Sequence, residues 1–93
     1  MTVAVEIYTK PFCPYCMRAK ALLARKNVPF TEIDLARTPE RFAEMVRRAG
    51  GRRTVPQIFI GERHVGGCDD LMAAERRGEL DGWLAQAGLT AGQ

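Results

Sequence analysis

The stretch Val3-Ala4-Val5-Glu6-Ile7-Tyr8-Thr9-Lys10-Pro11-Phe12-Cys13-Pro14-Tyr15-Cys16 changes periodicity partway along its length. Val3, Val5 and Ile7 alternate with Ala4, Glu6 and Tyr8, which is the period of a strand, and Lys10-Pro11-Phe12 breaks it. From Pro14 to about Lys26 the residues are good helix formers, with Ala19, Leu22 and Leu23 on one face. A strand thus leads into a helix, and Cys13 stands at the helix's mouth.

Asn27-Val28-Pro29 ends that helix and Phe30 to Asp34 forms a short strand. Thr38-Pro39 reads as an N-cap followed by proline at the first helical position. Phe42, Met45, Val46 and Ala49 then line one helical face until Gly50-Gly51 stops it. Gln57–Ile60 and Arg63–Gly66 flank Gly61-Glu62, the signal of a hairpin with a two-residue turn that starts with glycine. Leu71, Met72 and Glu75 belong to a helix ending near Gly78. Leu80, Trp83, Leu84 and Ala87 belong to a last helix closed by Gly88, with residues 89–93 as a frayed tail. On this reading Trp83 is core and His64 is an exposed sheet residue.

The order strand, helix, strand, helix, hairpin, helices demands a parallel pair with a right-handed crossover plus antiparallel strands. The expected fold is α/β: a mixed four-stranded sheet flanked by helices, in one domain spanning 1–93. No linker or repeat divides the 93 residues, and that length suits one core.

Composition narrows the function classes. The balance of 46% apolar and 27% charged residues is that of a globular chain rather than a disordered or fibrous one. No apolar run approaches the roughly 18 residues of a membrane helix. The N-terminus lacks the pattern of a signal peptide, so a cytoplasmic protein without membrane attachment is expected. Three cysteines, two of them in one Cys-x-x-Cys unit, do not make a secreted disulfide framework and point to catalysis or metal. The net charge of +3 is mild, but Arg47, Arg48, Arg52 and Arg53 crowd one short stretch, which favours an anionic partner. Nucleic acid is not expected, because no aromatic interleaving or nucleic-acid motif accompanies them. At least two of the four fit a solvated face.

The cysteine pair carries the chemistry. At a helix N-terminus the sulfur of Cys13 meets unpaired N–H groups and the positive end of the dipole, both of which favour thiolate over thiol. Lys10 could add a positive charge. Cys16, three residues on, lies on the same helical face one turn deeper, so attack from outside falls on Cys13 and Cys16 is the resolving thiol. Pro14 fits the first turn, and Tyr15 offers a ring at the rim. Thr54-Val55-Pro56 places proline at a strand start, where a cis Val55–Pro56 bond would turn the backbone of Val55 outward for a peptide to pair with. In Gly66-Gly67-Cys68-Asp69-Asp70 the glycines admit a ligand close to the backbone. One aspartate is expected to cap the following helix and the other to meet an ammonium group. Cys68 reads as a packing residue that lends its backbone to the ligand.

These three motifs, in this order and spacing, resemble glutaredoxins over nearly the whole chain, and most closely the small bacterial dithiol members. The resemblance implies a thioredoxin fold and a monomer that uses glutathione as co-substrate without a tightly bound cofactor. It implies two activities, the removal of glutathione from glutathionylated proteins and the reduction of protein disulfides. It maps a glutathione site onto Lys10, Tyr15, Thr54, Val55, Pro56, Gly67, Cys68 and Asp69, with either Arg52 or Arg53 meeting the glycine carboxylate. Thioredoxin has Gly-Pro where this chain has Pro14-Tyr15. Class potentials of about −200 to −230 mV against about −270 mV separate the two by roughly 2 to 3 kcal/mol, enough for the glutathione couple to reduce the disulfide.

Two readings compete with catalysis. Cys13, Cys16, Cys68 and His64 together make a Cys3His inventory for zinc, and an iron–sulfur centre bridging subunits occurs in some glutaredoxins. Rigid Pro14 argues against the second. Either would make the chain a non-catalytic binding module of the same fold.

Overall fold

The computed structural model describes residues 3–89. Four strands, β1 (Val5–Thr9), β2 (Thr31–Asp34), β3 (Gln57–Ile60) and β4 (Arg63–Gly66), form one sheet in the order β2-β1-β3-β4. β1 pairs parallel with β2 and antiparallel with β3, which pairs antiparallel with β4, so the mixed four-stranded sheet is as expected. The helices are α1 (Pro14–Arg25), α2 (Phe42–Arg48), α3 (Cys68–Arg76) and α4 (Glu79–Gln86).

The strand period puts a core on each side of the sheet. Val5, Ile7, Ile58 and Ile60 face one way, against Ala19, Leu22 and Leu23 of α1, Leu71 and Ala74 of α3, and Leu80 and Leu84 of α4. Burying each large aliphatic chain contributes roughly 1.5–3 kcal/mol. Tyr8 and Phe59 face the other way, with Ile33, Leu35, Met45 and Ala49, and their rings meet edge to face at 5.7 Å. This second core is small and is closed by charge: the buried Tyr8 hydroxyl donates to Glu44 and accepts from Arg48 at 2.8 Å, and Arg48 also pairs with Glu6 at 3.0 Å. Arg48 is therefore a structural member of the arginine-rich stretch, whereas Arg47, Arg52 and Arg53 are exposed.

α1 stops where Asn27 takes the left-handed conformation (φ 58°); its N–H reaches the carbonyl of Ala24 at 3.0 Å and that of Val28 reaches Leu23 at 3.0 Å, a Schellman ending. The hairpin turn is two residues long, with Gly61 at φ 59°, where an added Cβ would collide with Val3.

Four local expectations need correction. Thr38 does not cap a helix: its hydroxyl donates to the carbonyl of Asp34 at 2.9 Å, and a single 3-10 turn, Pro39–Arg41, precedes α2. Trp83 is half-buried, with Arg63 lying 4.8 Å from its ring. His64 is half-buried, stacked on Phe59. Leu89 is no frayed residue, since it packs on the first core and its N–H bonds the Leu84 carbonyl at 2.8 Å; the rest of the expected tail, residues 90–93, lies outside the described residues. No helix among the described residues is long and apolar enough to cross a membrane.

Candidate functional site

Cys13 is the N-cap of α1, in extended backbone, and its sulfur accepts the N–H of Cys16 at 3.1 Å. Pro14 occupies the first helical position, where its missing donor costs nothing. The capping role normally taken by an oxygen thus falls to a sulfur, beside the positive end of the helix dipole. Cys16 is on the buried face of α1, 1% exposed. Burial, then its hydrogen bond to Cys13, pushes the Cys16 thiol up to about 12, against a lowering contribution from the backbone of Lys10. All three cysteines are free thiols.

Two clefts flank this terminus. The larger, of about 510 Å³, is lined by both Cys13 and Cys16 together with Lys10, Lys20 and Glu32. In its lining Glu32 accepts from Thr9 at 2.7 Å and from Lys20 at 3.0 Å, and these bonds, that from Thr9 foremost, hold its carboxyl below the usual range. The smaller, of about 320 Å³, is lined by Tyr15, Thr54, Val55, Pro56, Gly67, Cys68 and Asp69, with Arg52 and Asp70. Eight of the ten residues that the glutaredoxin resemblance offered for one ligand, Arg52 among them, thus come together in one concavity. The Val55–Pro56 bond is cis, as expected.

Lys10 and Arg53 fall outside the smaller cleft. Lys10 lines the larger cleft and lies 5.5 Å from the Phe42 ring; Arg53 stacks on the same ring at 5.0 Å. Arg52, not Arg53, reaches the smaller cleft, where it pairs with Asp70 at 3.0 Å. The two aspartates divide as expected in one respect. Asp70 accepts the N–H of Gly67, the residue preceding α3, at 2.8 Å, while Asp69 stands exposed on the cleft wall. Gly66 (φ 118°) must lack a side chain, because a Cβ would strike the Asp70 carboxylate. Cys68 is buried, and burial followed by the charge of Asp69 raises its thiol, which suits packing better than attack.

Sequence reasoning placed Tyr15 at the rim but missed Phe12 and Met17 there. Phe12 is wholly exposed and takes a left-handed backbone (φ 58°), uncommon for a bulky residue, and Met17 is also exposed next to the cysteine pair. A phenylalanine immediately before a Cys-x-x-Cys unit was the available signal. The Cys3His inventory does not assemble: His64 turns to Gln57, and no group of three or more His, Cys, Asp or Glu side chains suited to a metal occurs among the described residues.

A β2-β1-β3-β4 mixed sheet whose first crossover helix begins on a Cys-x-x-Cys unit is the arrangement of a thioredoxin-fold thiol–disulfide oxidoreductase. The comparisons with known proteins narrow the class. A family model described as glutaredoxin matches residues 5–65, and the chain belongs to the glutaredoxin family. It is 60% identical over 81 residues to a glutaredoxin of Pseudomonas aeruginosa, covering 87% of this chain and 95% of that one. It is 57% identical over 77 residues to glutaredoxin 3 of Escherichia coli, covering 83% and 92%. Among solved structures it is similar to the glutaredoxin of Brucella melitensis (64% identity, 89% of each chain, TM-score 0.76). It is also similar to a buckwheat glutaredoxin–glutathione complex (33% identity, 96% of this chain and 83% of that one, TM-score 0.85).

Proposed function

We propose that this protein is a dithiol glutaredoxin that takes glutathione into the smaller cleft and exchanges it through Cys13. The observation that carries the reading is the convergence of Arg52, Tyr15, the Thr54–Pro56 loop and the Gly67–Asp69 turn on one concavity beside α1. Glutathione offers two carboxylates and an ammonium group, and the cleft offers complementary groups. Arg52 meets the glycine carboxylate, the backbone at the start of α3 meets the other carboxylate, and the exposed carboxylate of Asp69 meets the ammonium. The extended middle of the tripeptide pairs with the backbone of Val55.

The thiolate of Cys13 attacks the glutathione sulfur of a glutathionylated protein; the old S–S bond breaks and the protein leaves as thiolate. A second glutathione thiolate then attacks the mixed disulfide, forming glutathione disulfide and returning Cys13 as thiolate. For a protein disulfide, Cys13 forms the mixed disulfide with the substrate. Cys16, once deprotonated, attacks the Cys13 sulfur, so that the substrate leaves reduced and an intramolecular disulfide remains for two glutathiones to reduce.

The support from relatives is the buckwheat complex with glutathione. A glutathione-coupled assay with a small mixed disulfide tests the reading: NADPH consumption through glutathione reductase is expected, and is abolished in Cys13→Ser. Binding of the ligand without turnover would instead support a non-catalytic module. We infer that the protein acts in the cytoplasm as a monomer.

A further inference from the structure

No step of that mechanism uses His64, yet its ring is placed with care. It stacks on Phe59, with centroids 4.9 Å apart and planes at 23°, and its Nε2 lies 2.6 Å from Oε1 of Gln57. Gln57 is completely buried, and its Nε2 donates to the carbonyl of Thr54 at 3.1 Å and to that residue's Oγ1 at 3.4 Å. A carbonyl oxygen can only accept, so the amide NH2 must face Thr54. That leaves Oε1, an acceptor, facing His64, and the hydrogen of the neutral imidazole must sit on Nε2. The orientation of each group follows from the next.

The result is a directed chain, His64 to Gln57 to Thr54, running from β4 through β3 into the wall of the smaller cleft. Thr54 has no helix or ladder to fix it, for it lies in the irregular segment before β3. We propose that His64 is a positioning residue for glutathione binding, holding the Thr54–Val55 segment in place through the Gln57 side-chain amide. The inference rests on the reading of that cleft as the glutathione site.

The surroundings keep the imidazole neutral. Burial disfavours its charged form first, then Arg52; Arg48 of α2 acts the same way, and Asp70 of α3 opposes them. Of the two N–H hydrogens a charged ring carries, the neutral ring keeps one, and the chain places it on Nε2.

Two substitutions separate this role from packing. His64→Phe keeps a ring to stack on Phe59 but has no donor, and His64→Gln restores an N–H at a similar reach. In the glutathione-coupled assay, His64→Phe is expected to raise KM for a glutathionylated peptide about three- to tenfold while kcat changes by less than about twofold. These sizes suit the loss of one hydrogen bond. His64→Gln is expected to return KM to within about twofold of the original. An unchanged KM in His64→Phe, or no recovery in His64→Gln, would overturn the proposal. Should His64→Phe fail to fold, nitrogen-15 NMR of the unsubstituted protein decides: a ring carrying its hydrogen on Nδ1 at neutral pH removes the chain. Absence of turnover in the unsubstituted protein would instead refute the glutathione reading itself.

Discussion

Cys16 donates its backbone N–H to the sulfur of Cys13 at 3.1 Å while its own thiol is buried in the α1 face. One residue therefore gives a hydrogen bond to the sulfur of Cys13 and resists carrying charge on its own. The asymmetry comes from helix geometry alone, since three residues of advance turn a side chain from the terminus to the core side of the same face.

Selective alkylation follows. Burial holds Cys16 up at about 12 and raises Cys68 as well, so neither presents a thiolate near neutral pH. At pH 7 one equivalent of iodoacetamide should modify Cys13 at least about tenfold faster than either of the others, because the thiolate is the nucleophile. Peptide mapping reads the distribution; similar labelling of all three thiols would contradict the assignment of roles.

Removal of the resolving thiol should split the two activities. In Cys16→Ser the glutathionylated substrate still meets Cys13 and a second glutathione still clears it, so turnover with a small mixed disulfide should stay within about threefold. Reduction of a protein disulfide needs the internal attack and should fall by about tenfold or more. Parallel assays with the two substrates check this, and an equal loss in both would show that Cys16 serves the first attack too.

The adjacent arginines make a sharper test of the cleft. Arg52 lines it, whereas Arg53 lies on Phe42 outside it. An ion pair at an exposed site is worth up to about 1 kcal/mol, or roughly fivefold in binding. Arg52→Ala should raise KM for a glutathione mixed disulfide about that much, with kcat little changed. Arg53→Ala should leave KM alone. The reverse ranking would move the glycine carboxylate to the other side of the loop.

The mixed sheet, the succession of its elements and the cysteine pair were legible because they rest on short-range signals: alternation around Ile7, helical spacing from Ala19 to Leu23, and Gly61-Glu62 between two apolar runs. Two glycines and a cis-capable proline similarly marked the loops of the cleft. What could not be read was partner choice over distance. Thr38 looks like a cap in sequence, but its hydroxyl finds the Asp34 carbonyl, made available by the turn that follows β2. His64 on a hairpin strand reads as exposed until Phe59 and Gln57 close over it. Arg52 and Arg53 are equivalent in composition, and only Asp70, 18 positions on, draws one of them into the cleft.

Asp70 connects site geometry to stability, and its pH dependence has a fixed sign. The Gly67 N–H first, and Arg52 next, hold its carboxyl below the usual aspartate range. A folded-state value below the unfolded one means that the stabilisation is fully present above about pH 4, the ordinary aspartate value. It is lost as the pH falls through the folded-state value. Because the side chain is half-exposed and the ion pair with Arg52 is screened, most of the effect comes from capping, at about 1 kcal/mol. Asp70→Ala should thus be less stable than the parent by about that amount in urea unfolding at neutral pH, and the gap should close once the carboxylate is protonated. A gap of constant size down to strongly acidic pH would mean that the charge on Asp70 does not stabilise the α3 terminus, and that Gly67 is held by packing alone.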